Sequence, residues 1–128
     1  MPPRTSSEVV LKIEMNLSAF GVESDNFPSI DAKIDFLKDT SLCVKSYYNP
    51  AYKDSLYQLS KAKMATLLKL VQTSDLNKLK SHYKVEHVDQ PSSKTVIYTT
   101  KRTYIISDYG LKGDAPLPDM YKIVYQID

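Results

Sequence analysis

The feature that most limits how this chain folds is a strict alternation of apolar and polar residues near its start. From Glu8 to Phe20 the apolar residues occupy every second position of the first stretch, with Val9, Leu11, Ile13, Met15 and Leu17. The same rhythm returns a little later, with Ile30, Ala32, Ile34 and Phe36. Successive side chains of a β-strand point to opposite faces of a sheet, so this rhythm predicts two strands, each with one buried face.

The remaining strand signals come in neighbouring pairs that are able to form hairpins. A third strand is predicted from Leu42 to Tyr48, and Asn49-Pro50 ends it because proline has no N–H for a ladder. Ser55 to Leu59 is compatible with a short fourth strand. Thr95 to Thr100 and Thr103 to Asp108 read as a hairpin.

Helical spacing appears in the middle of the chain and again at its end. Ser60 is a suitable N-cap for a helix from about Lys61 to Thr73, whose apolar positions are Met64, Leu67, Leu68 and Val71. Leu76, Leu79 and Tyr83 continue at spacings of three and four, which predicts a second short helix to about His82. A closing helix is predicted after Pro116, with Met120, Tyr121, Val124 and Ile127 on one face.

Strands in hairpin-capable neighbours disfavour a parallel, doubly wound sheet and favour an α+β fold. The expected architecture is a single antiparallel sheet of about five to six strands, with two to three helices packed on one face. Residues 1–7 are expected to be a flexible start, and residues 8–128 a single α+β domain. A chain of 128 residues is long enough to bury a core without disulfides or a structural metal.

Composition narrows the classes of function only slightly. The net charge is +2, which disfavours nucleic acid as a partner, and one cysteine, Cys43, rules out an intramolecular disulfide. No stretch is apolar enough to predict a transmembrane segment. Two locations stay open: an exported protein, periplasmic or a surface lipoprotein, if a signal peptide has been removed from this start, and a cytoplasmic one otherwise.

A series of short motifs runs through most of the chain in a fixed order. The series is Phe20-Gly21, Phe27-Pro28, the helical stretch from Leu67 to Tyr83, Asp89-Gln90-Pro91, Asp108-Tyr109-Gly110 and Pro116-Leu117. In this order the motifs resemble a family of small, uncharacterised bacterial domains, many of them in exported or lipid-anchored proteins. The resemblance implies an exported or surface-associated α+β module without an established activity.

Tyrosine supplies the clearest candidate for a binding surface. The chain has ten tyrosines and no tryptophan, and tyrosine is enriched where proteins bind partners. The candidate ligand or partner surface combines the tyrosine-rich stretch with the turns around the hairpin, and comprises Tyr47, Tyr48, Tyr52, Tyr57, Asp89, Gln90, Asp108 and Tyr109. The leading hypothesis is a non-enzymatic module that binds an unknown protein or small ligand, with no catalytic residue, cofactor or metal assigned.

Two other classes of function are kept as alternatives. A small hydrolase or metal-dependent enzyme would use Asp89 and Asp108 with His82 and His87, although a spacing of five residues does not place two histidines on one helical face. A weak nucleic-acid binder would use the helical segment from Lys61 to Lys84, which carries six lysines and one acidic residue.

Overall fold

One β-sheet forms the frame of the protein. The computed structural model describes residues 8–18, 29–46, 53–86 and 91–126, and within them seven strands belong to this sheet. The strands are β1 (Val10–Ser18), β2 (Ser29–Asp35), β3 (Thr40–Ser46), β4 (Ser55–Tyr57), β5 (His82–Lys84), β6 (Ser92–Thr99) and β7 (Thr103–Tyr109). Two α-helices accompany them, α1 (Lys61–Gln72) and α2 (Leu117–Val124), with a short 3₁₀ helix at Leu76–Lys78.

The strands lie in the order β4-β3-β2-β1-β6-β7-β5, so β1 is the central strand. All neighbours are antiparallel except β5 and β7, which pair in parallel. The predicted α+β class is confirmed, but the sheet is mixed rather than wholly antiparallel. It also has seven strands in the described residues, instead of five to six.

The additional strand arises where a second helix was predicted. Asp75 caps the 3₁₀ helix by accepting a hydrogen bond from the backbone N–H of Asn77, and the chain becomes extended at Leu79. Residues 82–84 then form β5 alongside β7, with the N–H of Ser107 donating to the carbonyl of Ser81 over 2.8 Å. The helical spacing was therefore misleading, because pairing with a distant strand overrides a weak local preference.

A bulge near the start of β1 changes which residues are buried. Val10 lies opposite Thr99 and Lys12 lies opposite Tyr98, which leaves Leu11 as an extra residue in β1. Val10 is therefore buried, whereas Val9 is 45% exposed. The prediction that Val9 shares the buried face with Ile13 was wrong, while the alternation is confirmed from Ile13 onward.

Both helices cover the same face of the sheet, called here the inner face. Ser60 begins α1 as predicted, its hydroxyl accepting from the N–H of Lys63 over 3.1 Å. The buried apolar side chains form one cluster between the helices and the sheet, which includes Met64, Leu67 and Val71 of α1 and Leu117, Met120 and Val124 of α2. The helices therefore bury one side of every long strand. The opposite side of the sheet has no helix over it among the described residues.

Candidate functional site

The side of the sheet opposite the helices, called here the outer face, carries the residues that alternate with the core. Its central part is polar, and aliphatic side chains lie on both sides of that part. The members from β1 and β2 are Lys12, Glu14 and Asn16, and Asp31, Lys33 and Asp35. Because strand alternation fixes this set, the outer face is a direct consequence of the pattern that builds the core.

Charged side chains of opposite sign stand opposite each other at the centre of the outer face. In the register of β1 and β2, Glu14 faces Lys33 and Lys12 faces Asp35. Lys12 also places its Nζ 4.5 Å from the centre of the Tyr98 ring, and the Tyr98 hydroxyl donates to Glu14 Oε1 over 3.1 Å. That hydrogen bond raises the pKa of Tyr98 above its ordinary value.

Aliphatic side chains mark the β3–β4 end of the outer face. Leu42, Val44 and Leu56, called here the apolar corner, project from it, and Val44 and Leu56 are direct partners across the two strands. Leu42 is 46% exposed and Leu56 is 68% exposed. Scattered exposed leucines are ordinary on protein surfaces, but neighbouring aliphatic side chains on an open sheet face are typical of a contact surface.

A second aliphatic pair lies on the other side of the charged centre. Val96 of β6 and Ile105 of β7 are direct partners, and Ile105 is 55% exposed. Val96 also faces Glu14 across β1 and β6. One row across the sheet therefore reads Leu42, Lys33, Glu14, Val96 and Ile105, with apolar residues at both ends and charges of opposite sign between them.

Within the predicted tyrosine-rich stretch, Tyr57 lies among the described residues, and it faces the core. Its hydroxyl donates to the carbonyl of Val124, near the end of α2, over 2.6 Å. Burial raises the pKa of Tyr57, with Cys43 beside it as a further cause. Tyr57 therefore holds α2 against β4. Tyr47, Tyr48 and Tyr52 lie outside the described residues.

Asp108 is buried on the inner face, and its carboxyl group is fully engaged by donors. Oδ1 accepts from the N–H of Lys112 over 2.8 Å, and Oδ2 accepts from the N–H of Gly113 and from the Tyr121 hydroxyl, each over 2.7 Å. A Cβ at Gly113 would stand 2.8 Å from Oδ2 and 2.4 Å from Leu117 Cδ1, so glycine is required there. These contacts give Asp108 a structural role, joining β7 to α2.

The residues of the enzymatic alternative are not brought together as far as they are described. His82 pairs with Ser107 and is exposed, whereas the next residue, Tyr83, pairs with Asp108. Since successive residues of a strand point to opposite faces, His82 and Asp108 lie on opposite sides of the sheet. His87, Asp89 and Gln90 lie outside the described residues. Tyr109 ends β7, half-buried, opposite Ser92.

The lysines of the third alternative do not line one helical surface. Lys61 and Lys69 belong to α1, Lys78 to the 3₁₀ helix and Lys84 to β5. The Lys61 ammonium is also paired with Asp39, at 2.7 Å from Oδ2. The second helix on which this alternative partly relies was a wrong prediction, because residues 76–78 form a 3₁₀ helix and residues 82–84 form a strand.

A polar cluster around Glu8 could not be found from the sequence. Glu8 Oε2 accepts from the hydroxyls of Thr99 and Tyr104 over 2.8 and 2.9 Å. The Gln72 side chain donates to the carbonyl of Glu8 and accepts from the N–H of Val10. These contacts fasten the start of β1 to the end of α1 and to the β6–β7 hairpin. They join residues more than 60 positions apart in the chain, and no local sequence pattern predicts such pairs.

The cavity beside this cluster is small and polar. Its volume is about 20 Å³, and its polar lining includes Glu8, Gln72, Ser74, Asp75, Asn77 and Thr99. That volume accommodates a water molecule but no metabolite. Across residues 8–18, 29–46, 53–86 and 91–126, no group of three or more histidines, cysteines or acidic residues is arranged to hold a metal ion. Neither described helix has the length and apolar character to cross a membrane.

The chain matches one family of known domains. The family model described as Domain of unknown function (DUF6438) matches residues 27–128, from just before β2 through α2. Searches of curated proteins and of solved structures gave no match. The match confirms the resemblance to an uncharacterised domain family, while the bacterial origin and the export implied by that resemblance stay predictions.

Proposed function

This chain belongs to the DUF6438 family of domains of unknown function, and we propose that it is a non-enzymatic module that binds a protein through its outer face. The observation that supports the proposal is the grouping of exposed aliphatic side chains. Leu42, Leu56 and Ile105 all project from the face that carries no helix among the described residues. Such grouping on one open face is typical of a protein-binding surface.

The chemistry of the outer face favours a protein over other ligands. Carboxylates and ammonium groups alternate at its centre, so the face presents no single sign of charge to a phosphate backbone. Small molecules bind in clefts that bury most of their surface, whereas the cavity described above holds no more than a water molecule. A partner that fits has apolar side chains around a centre of mixed charge.

The predicted tyrosine surface extends this proposal. The sequence between β3 and β4 includes Tyr47, Tyr48 and Tyr52, and both strands contribute to the apolar corner. Tyrosine rings give broad contact area at low entropic cost. We expect paired replacement of these tyrosines by serine to weaken partner capture without unfolding the domain. Unchanged capture from a native lysate would remove this segment from the proposed surface.

Site-specific photo-crosslinking tests the outer face directly. The photoreactive residue p-benzoylphenylalanine replaces Leu56 or Ile105 in separate variants, and Leu37 in a matched control. Leu37 is 74% exposed but lies in the turn between β2 and β3. Each variant is irradiated in a lysate of the source cells, and crosslinked products are identified by mass spectrometry. We expect a defined protein adduct at Leu56 and Ile105 and none at Leu37, and the absence of any adduct at both face positions contradicts the proposal.

A further inference from the structure

The two central strands carry a charge pattern on the outer face that is complementary to itself. Along β2 the outward side chains are Asp31, Lys33 and Asp35, so their signs are negative, positive and negative. Opposite them on β1 stand Asn16, Glu14 and Lys12, which are neutral, negative and positive. Wherever two facing residues of β1 and β2 are both charged, their charges are therefore opposite in sign.

From this pattern we infer that the outer face binds a second copy of this chain, related by a two-fold axis parallel to the strands between β1 and β2. The inference rests on the proposed function and names its partner. Rotation about this axis exchanges β1 and β2 but keeps each row at its own level. Lys33 of one copy then lies over Glu14 of the other, and Asp35 lies over Lys12, so these four charges each meet one of opposite sign. Asp31 lies over the neutral Asn16.

The charges also oppose a two-fold axis that runs perpendicular to the strands through the Lys33–Glu14 row. Such an axis reverses the other rows and keeps each strand over itself. Lys33 would then lie over Lys33 of the second copy, and Glu14 over Glu14. Asp31 would lie over Asp35. Like charges in direct contact oppose association, so the pattern selects the axis parallel to the strands.

The aliphatic ends of the outer face fit the same axis. It places β3 over β6 of the second copy and β4 over β7. Leu42 and Val96 share a row across the sheet, and their strands are equally far from the axis, so Leu42 packs on Val96 of the second copy. Leu56 shares its row with Ser107, so it lies over Ser107 of the second copy. The exposed residues Leu42 and Leu56 thereby both leave water.

The outer face approaches the size of a stable interface only when its edge strands take part. The five longer strands span about 24 Å at the usual spacing and about 23 Å along seven residues, a flat area of about 550 Å². Stable interfaces bury about 800 Å² on each partner. The short strand β4, with Leu56, is needed to approach that area.

A charge-reversal experiment on the full chain tests the inference. Glu14→Lys and Lys33→Glu are prepared as separate chains, and sedimentation velocity over a micromolar concentration series gives the dimer dissociation constant. In either variant alone the two symmetric Lys33–Glu14 contacts become contacts of like charge, so we expect dimerisation to weaken about 100-fold. Mixing the two variants restores opposite charges at both contacts, so the mixture should dimerise nearly as well as the natural chain.

Controls separate the interface from the fold. Leu37→Ser changes an exposed leucine off the outer face and should leave the dissociation constant unchanged, whereas Leu56→Asp should weaken dimerisation at least 10-fold. Circular dichroism checks that each variant is folded. A natural chain that stays monomeric, a dimer insensitive to the reversals, or a mixture that does not recover would each overturn the inference. Crosslinking of Leu56 to a different protein would leave the proposed function intact while this inference fails.

Discussion

The hydroxyl of Tyr121 donates to Asp108 over 2.7 Å inside the core, which ties the closing helix to the end of β7. Asp108 is 0% exposed and also accepts from two backbone N–H groups in the loop between them. Through these three hydrogen bonds the carboxyl group joins β7, the loop and α2.

Replacement of either partner should destabilise the protein, but to different extents. Tyr121→Phe removes one donor from a buried carboxyl group and should lower the free energy of unfolding by about 2 kcal/mol. Asp108→Ala leaves two backbone N–H groups and a hydroxyl without an acceptor and should cost more, about 4 kcal/mol. Urea denaturation followed by circular dichroism measures both. Lys112→Ala, which changes an exposed side chain and keeps the backbone donor, is the control, and equal effects of all three changes would contradict this role of Asp108.

Thr95 offers the opposite case, a buried group whose removal should stabilise the fold. Thr95 is 0% exposed, and its Oγ1 has no hydrogen-bond partner among the described residues. Valine has nearly the same shape without the hydroxyl, so Thr95→Val should raise the free energy of unfolding by about 1 kcal/mol. Ser93→Ala is the contrasting variant on the same strand. Its hydroxyl lies 2.7 Å from the Tyr125 hydroxyl, so this change should destabilise. A loss of stability in Thr95→Val, measured by thermal melting, would refute the prediction.

Glu8 should make the stability depend on pH in the acidic range. Burial alone raises the pKa of Glu8, but hydrogen bonds from Thr99 and Tyr104 and the charges of Arg102 and Lys101 outweigh it and bring the pKa below its ordinary value of 4.5. Its contribution is therefore present above the unfolded pKa and is lost as the pH falls through the folded one. Urea denaturation should show Glu8→Gln less stable than the natural chain by about 1 kcal/mol at neutral pH, with the difference shrinking in acid.

Glu86→Gln is the control for this prediction, because Glu86 is exposed and follows β5. It should change stability little at either pH. A difference between the natural chain and Glu8→Gln that grows on acidification would contradict the assigned direction of the pKa of Glu8.

Two buried tyrosines and a partly buried one should limit stability in alkali. Burial raises the pKa values of Tyr57, Tyr121 and Tyr125 well above the ordinary value of 10. Stability from these groups is full below that value and is lost as the pH rises toward their folded pKa values. The chain has no tryptophan, so ultraviolet absorbance follows tyrosine ionisation cleanly. We expect some of the ten tyrosines to ionise only together with the loss of circular dichroism, and full ionisation of the folded protein would contradict this.

Local patterns were sufficient to predict most of the fold. Alternation identified β1 and β2 because each strand has one exposed and one buried face. Ser60 correctly predicted the start of α1. Two errors have physical causes. The bulge at Leu11 is imposed by pairing with β6, and β5 is imposed by pairing with β7, so both depend on residues far along the chain.

The sequence predicts which residues belong to the outer face, but it does not predict which of them face each other across strands. Alternation alone assigns Glu14 and Lys33 to the polar side of their strands. That they stand opposite each other depends on the register between β1 and β2, which ten intervening residues leave undetermined. Tyr57 illustrates the reverse problem: its residue type favoured a contact surface, but its place in β4 turns it inward.

The position of β5 has a consequence for the order in which the protein is built. β5 precedes β6 and β7 in the chain but borders only β7, at the far end of the sheet. While the ribosome is still adding residues before 109, this segment has no complete neighbour to dock on. Residues 82–84 can therefore take their place in the sheet only after β7, which follows them in the chain, has been synthesised.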